Sequence, residues 1–286
     1  MHTNSIKTFS QTNRYLLTDG KFRFACHSGV ACFTRCCHDA DMYLYPYDIV
    51  RLKHALSMTA DEFMAEHTIT AFRDNPYFPH VMLKMSEEEG KPCPFLSSEG
   101  CRVYEDRPYS CRAYPLEPAM SGTKGDEVQF RYYVAKHSYC LGHREDKEWS
   151  AEQWMQDQGM ERYNDINSHW AKVDALLRKN PFGEQGVDHP ALKMVYMATY
   201  NLDTFRRFVF SSSFIERYEV PEDRLEKVRT DDTELLLLGF EWILRFVGGQ
   251  GPLKERASRS EVREQRSEDR TETRSQSVIR RIIRHN

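Results

Sequence analysis

Phe24 to Leu56 reads FACHSGVACFTRCCHDADMYLYPYDIVRLKHAL, and it crowds Cys26, Cys32, Cys36 and Cys37 into its opening half. That half is turn-rich. From Pro46 onward the pattern changes, with Ile49, Leu52 and Leu56 at helical spacing behind the proline, so the stretch hangs thiols on a loop and anchors the loop on a helix. The remaining cysteines, Cys93, Cys101, Cys111 and Cys140, stand in short punctuated motifs: PCPFL at 92–96, CRVYEDRPYSCRAYP at 101–115 and YCLG at 139–142. The chain has 286 residues and no cysteine beyond Cys140.

Eight cysteines could also form an oxidised framework. The surroundings favour metal ligands instead. Residues 1–25 show no charged segment leading into an apolar one, so nothing there resembles a secretory signal. A chain of 33.7 kDa can bury a core large enough to do without covalent staples. No apolar run reaches the roughly 18 residues that a bilayer span needs. The longest, LLLLGFEWILRFV from Leu235 to Val247, is interrupted by Glu241 and Arg245. The sequence therefore reads as a cytoplasmic protein without a transmembrane segment, a setting in which clustered thiols serve metals or redox chemistry.

The formal net charge is -3, yet residues 253–286 alone carry ten Lys or Arg against six Asp or Glu. An acidic body with a mildly basic tail is not a general nucleic-acid binder. Composition divides the chain into a cysteine-bearing α+β part at 1–148, a cysteine-free helical buttress at 149–250 and a disordered charged tail at 251–286. Within the first part a short helix is expected after Thr59, which forms a capping box with Glu62. His80–Ser86 reads as a strand that turns at 88–91 and returns through 93–96 to deliver Cys93, and Val128–Ala135 reads as another strand. In the second part, Ser150 with Gln153 caps a helix whose apolar face runs through Ile166, Trp170, Val173 and Leu177 until Pro181. Further helices are expected over 190–201, 203–218 and 233–247, the last ending at Gly248-Gly249. In the tail, SVIRRIIRHN sets Val278, Ile279, Ile282 and Ile283 beside arginines, as a short docking helix would, within an otherwise solvated segment.

Thiolates are the form that binds metal, and several close together present a soft donor set that a cation makes tolerable. Four are needed per zinc or per four-iron cluster, so eight allow two sites, or one cluster plus spare thiols. The spacings are C-x5-C, C-x3-C and then C-C. They exclude the paired C-x2-C knuckles of a zinc ribbon, the bacterial ferredoxin run and the C-x3-C-x2-C of radical enzymes. Adjacent Cys36 and Cys37 point different ways in most backbone conformations, and so suit two metals better than one, or leave one thiol out. Arg23, Arg35, Arg102, Arg107 and Arg112 lie among the cysteines, where guanidinium groups can offset a dianionic centre, or else pair with Glu105, Asp106 and Asp126. His27, His38, Asp39, His137 and His143 flank the thiols as further candidate ligands.

These motifs, in this order over about residues 22–143, resemble the YkgJ-type cysteine-cluster family, which is described as zinc- or iron-chelating and named for a C-x-x-C-x-x-C-C pattern. The spacing here is longer, with five residues between Cys26 and Cys32 and three between Cys32 and Cys36. The segments MATYNLDTFRRFVFSSSFIERY and DDTELLLLGFEWIL resemble the downstream half of longer members. The resemblance implies metal binding at Cys26, Cys32, Cys36, Cys37, Cys93, Cys101, Cys111 and Cys140, with an iron-sulfur (4Fe-4S) cluster as the leading identity and zinc as the alternative. It also includes flagellin lysine N-methylases, which implies redox or group-transfer chemistry. A zinc-stabilised interaction module, or a thiol redox sensor or metal chaperone, are the competing readings. No G-x-G-x-x-G loop after a strand, P-loop or H-E-x-x-H is present, so chemistry points only to the cysteines.

Overall fold

The computed structural model describes residues 13–18, 20–124 and 127–256. The tail expected from 251, with its SVIRRIIRHN end, lies outside the described residues from 257 onward, as does Asp126. The elements in chain order are β1 (Arg14–Leu16), β2 (Lys21–Arg23), β3 (Tyr43–Leu44), α1 (Pro46–Ala55), α2 (Ala60–His67), β4 (Thr68–Ala71), β5 (His80–Leu83), β6 (Leu96–Ser97) and β7 (Gly100–Cys101). Then come α3 (Tyr109–Ala113), β8 (Leu116–Lys124), β9 (Glu127–Ala135), β10 (Glu148–Ser150), α4 (Ala151–Asp157) and α5 (Glu161–Leu177). The chain continues through α6 (Pro190–Tyr200), α7 (Leu202–Ser211), α8 (Phe214–Arg217), α9 (Glu222–Thr230) and α10 (Asp232–Phe246). The fold is α+β: among the described residues, four small antiparallel sheets, ordered β1-β9-β8, β10-β2, β3-β5-β4 and β6-β7, are set against helices.

Local chemistry starts the helices where the sequence places them. Thr59 Oγ1 accepts the Glu62 N–H at 3.3 Å while the Glu62 carboxylate accepts the Thr59 N–H at 2.8 Å, which satisfies two otherwise orphaned donors. Ser150 and Gln153 do the same for α4, at 3.1 and 3.0 Å. Asp231 caps α10 by accepting from Thr233 and Glu234.

Two expectations change. The helix expected from Ser150 to Leu177 is two, because the chain breaks at Gly159, whose φ of +60° a side-chain-bearing residue adopts at a cost. The break presents the Gln158 carbonyl to Arg112 Nη1 at 2.5 Å. The helix expected over 203–218 also divides, into α7 and α8. Ser212 is extended there, and its Oγ accepts from the Phe214 N–H at 3.2 Å to start the new turn. The segment after the 88–91 turn does return: the Ser86 N–H donates to the Pro92 carbonyl at 2.9 Å, Pro92 bridges His38, and the Cys93 N–H donates to the Cys37 carbonyl at 2.7 Å.

Two hydrophobic clusters form among the described residues. The larger joins Phe63, Val81 and Phe95 from the first half to Trp170, Leu235 and Trp242 from the helices. The smaller gathers Phe22, Phe24, Leu116, Val134, Trp149 and Trp154 around the β10-β2 pair. Helix α1 is also tied to α7 and α10 by charge. Lys53 Nζ lies 2.9 Å from Asp203 and 2.7 Å from Asp232, with the Lys53 and Asp232 side chains 6% and 4% exposed. Arg206 completes the network on Asp232 at 2.5 Å. Residues 251–256 run back along α8, where the Glu219 N–H donates to the Lys254 carbonyl, the Arg256 N–H donates to the Arg217 carbonyl, and Leu253 is buried. Among the described residues, no helix is long and apolar enough to cross a membrane.

Candidate metal centre

All eight cysteines are free thiols, and they come from loops and element ends rather than from the middle of any long helix. Cys26 and Cys32 lie in the loop after β2. Cys36 and Cys37 occupy a short 3-10 turn, Arg35–Cys37, entered through Thr34 at φ 64°. Asp39 at φ 45° and Lys91 at φ 44° flank the same region. Non-glycine residues held at positive φ are uncommon, and their concentration here marks a backbone shaped around its side chains.

Backbone hydrogen bonds bring distant cysteines together. The Ala25 N–H donates to the Gly142 carbonyl at 3.1 Å, and the Leu141 N–H donates to Cys32 Sγ at 3.1 Å. Together they seat the YCLG turn beside the first loop. On the other side, Cys93 joins Cys37 through the 2.7 Å bond, Leu96 pairs with Cys101, and the Arg102 N–H donates to the Phe95 carbonyl at 2.9 Å. Cys111, on α3, lies with its sulfur 3.8 Å from Met42 Sδ. Its helix is held to α1 by buried Asp48, which accepts the Tyr109 N–H and the Tyr45 N–H, each at 2.8 Å.

The thiols affect one another. Burial, then Cys36, Cys140 and Cys32, push Cys26 up to about 11. Cys36 and Cys37 share a hydrogen bond that holds Cys36 down and drives Cys37 up, with burial and the nearby Cys111 and Cys93 adding to the rise at Cys37. Burial also raises Cys93, Cys101 and Cys140, but each is opposed by the N–H two residues further on, that of Phe95, Val103 and Gly142. That repeated turn, a sulfur facing the N–H two residues ahead, eases the charge on a thiolate.

The arginines divide. Arg102 and Arg107 favour charge on Cys101, and Arg102 does so on Cys93 as well. Arg112 is structural, donating to the Gln158 and Glu105 carbonyls and lying over the Tyr163 ring. Arg23 lies 3.8 Å from Asp146, and Asp106 pairs with Arg51 rather than with an arginine of the cysteine blocks.

The flanking ligand candidates have other contacts. His27 lies 3.5 Å from Glu145, His38 Nδ1 lies 3.2 Å from the Thr34 carbonyl, and Asp39 pairs with Lys91 at 3.2 Å. His137 stacks between Tyr114 and Tyr139. His143 packs on Phe24, and its Nε2 and the neighbouring Tyr114 Oη are buried without a full hydrogen-bond partner among the described residues. Sequence reasoning had not singled out Tyr114, although it follows the CRVYEDRPYSC motif and its hydroxyl faces Cys140. Among the described residues, no three His, Cys, Asp or Glu side chains already close into a metal-holding group. The donor set itself, thiols eased by N–H groups and guanidiniums, fits a soft or borderline cation.

No curated protein and no solved structure matches the chain. Residues 25–141, which span every thiol described above, match the CxxCxxCC family, described as a "putative zinc- or iron-chelating domain". The segment from Ala25 to Leu141 is thus similar to the CxxCxxCC family, a likeness that supports metal binding.

Proposed function

We propose that the cluster holds iron as iron-sulfur centres of the 4Fe-4S kind, in support of redox or group-transfer chemistry. The observation that carries this reading is the set of backbone N–H groups turned on sulfur. Leu141 donates to Cys32, while Phe95, Val103 and Gly142 face Cys93, Cys101 and Cys140. Such hydrogen bonds, together with net charge and exposure, set the potential of an iron-sulfur centre. Four thiolates on an oxidised four-iron core leave a dianion, which Arg102 and Arg107 offset. When bound, the cluster would supply electron transfer or activation of a ligand; the chain supplies the thiolates, the N–H donors and the positive charge.

Anaerobic purification tests the reading. A brown protein with iron and acid-labile sulfide is expected. A colourless protein holding zinc alone would refute it and make the metal a folding element, worth about 10–16 kcal/mol in small zinc domains.

A further inference from the structure

We infer that the eight thiols form two separate four-sulfur sites that meet at the Cys36–Cys37 peptide: Cys26, Cys32, Cys36 and Cys140 in one, Cys37, Cys93, Cys101 and Cys111 in the other. The inference rests on the chelating reading above and goes beyond it by giving the number of sites and the membership of each.

Backbone contacts make the division. In the first set the 25–32 loop is bound to the 140–142 turn by the Ala25–Gly142 and Leu141–Cys32 hydrogen bonds. In the second, Cys37 is bound to Cys93, the β6-β7 hairpin brings Cys101 back beside the Cys93 loop, and Cys111 arrives on the helix fastened to α1 by Asp48. Among the described residues, no backbone–backbone hydrogen bond outside the helices and strands joins Cys26, Cys32 or Cys140 to Cys93, Cys101 or Cys111.

The two sets also rest on different cores. Cys93 and Cys101 pack against the large cluster shared with the helices, whereas Cys140 packs against the small one around Trp149 and Trp154. The tryptophans brace that side, since Trp149 Nε1 donates to the Phe24 carbonyl at 2.8 Å, two residues before Cys26.

Cys36 sits at the junction, and counting decides its place. Cys37, Cys93, Cys101 and Cys111 already supply the four ligands a tetrahedral ion or a cluster takes. The other side has three, and Cys36 is the one thiol left to complete it. In the Arg35–Cys37 turn the two thiols are hydrogen-bonded neighbours, so the two sets touch there.

The test is an anaerobic titration of the metal-free full chain with Co2+, reading thiolate-to-cobalt absorption and counting bound cobalt. The native chain should take up two ions. Cys32→Ser and Cys140→Ser, singly or together, should each leave one; so should Cys93→Ser and Cys101→Ser. Cys32→Ser combined with Cys101→Ser should abolish the thiolate spectrum. Far-UV circular dichroism checks folding, and two variants per set keep the comparison decisive if one of them misfolds. Single substitutions in both sets that each remove all cobalt would overturn the division while leaving chelation intact. No thiolate-bound cobalt in the folded native chain would overturn chelation itself.

Discussion

Replacing Lys53 with Met keeps the apolar stem and deletes the ammonium that lies 2.9 Å from Asp203 and 2.7 Å from Asp232. Removing one partner from a buried ion pair typically costs about 3–5 kcal/mol, because the other charge stays buried and uncompensated. Arg206 remains on Asp232, and the Ala60 N–H remains on Asp203 at 2.6 Å, so a loss near the lower end, about 3 kcal/mol, is expected. The pH dependence gives a second reading. Burial alone would raise both carboxyls, yet the Ala60 N–H and Lys53 at Asp203, and Lys53 and Arg206 at Asp232, hold them below the usual 3.8. Groups lowered in this way add stability above their unfolded value, and that stability is lost as pH falls through the folded one. The gap between native chain and Lys53→Met should therefore be widest at neutral pH and should narrow as pH falls below about 4. Urea unfolding followed by circular dichroism across pH measures it. A loss under about 1 kcal/mol, or a gap that does not change with pH, would refute the network as a tie between α1 and the helices.

Asp48→Asn should behave in the opposite sense. Burial, working against the Tyr109 and Tyr45 N–H groups, raises the Asp48 carboxyl from 3.8 to about 7, so its stabilisation is complete below 3.8 and is lost as pH rises to about 7. At about 1.4 kcal/mol per unit, the variant should gain on the native chain by up to about 4 kcal/mol between pH 4 and 7.5; a constant difference in urea melts would contradict this. Gly142→Ala places a methyl 2.6 Å from the Ala25 carbonyl oxygen and 2.7 Å from Phe24 Cε2, in space the backbone cannot readily yield. It should destabilise by about 1–3 kcal/mol and weaken metal uptake at the Cys26 side, and unchanged melting and uptake would show that the close approach is dispensable.

The helical boundaries were legible where side chains cap their own backbone. T-x-x-E at Thr59, S-x-x-Q at Ser150 and proline at Pro190 each place a helix start that forms. What escaped reading lacked such local chemistry. Helix α9, EDRLEKVRT, buries only Leu225 and Val228, so its apolar period is almost silent. Strand β8, LEPAMSGTK, carries proline and glycine and shows no alternation; it is a strand because β9 pairs with it from Leu116 to Lys124. At the cysteines, sequence supplied the donors and the tension between Cys36 and Cys37. It could not supply the partnership of Cys32 with Leu141 or of Cys37 with Cys93, since those bonds close loops of many residues and leave no periodic trace.

The most direct test of the account is to count thiols and metal on the same anaerobically purified full-length chain, titrating reactive thiols before and after denaturation with a chelator present. The account predicts bound metal, most of the eight thiols unreactive in the native chain, and all eight released together with the metal on denaturation. A folded chain that is free of metal, with its thiols reactive throughout, would contradict it.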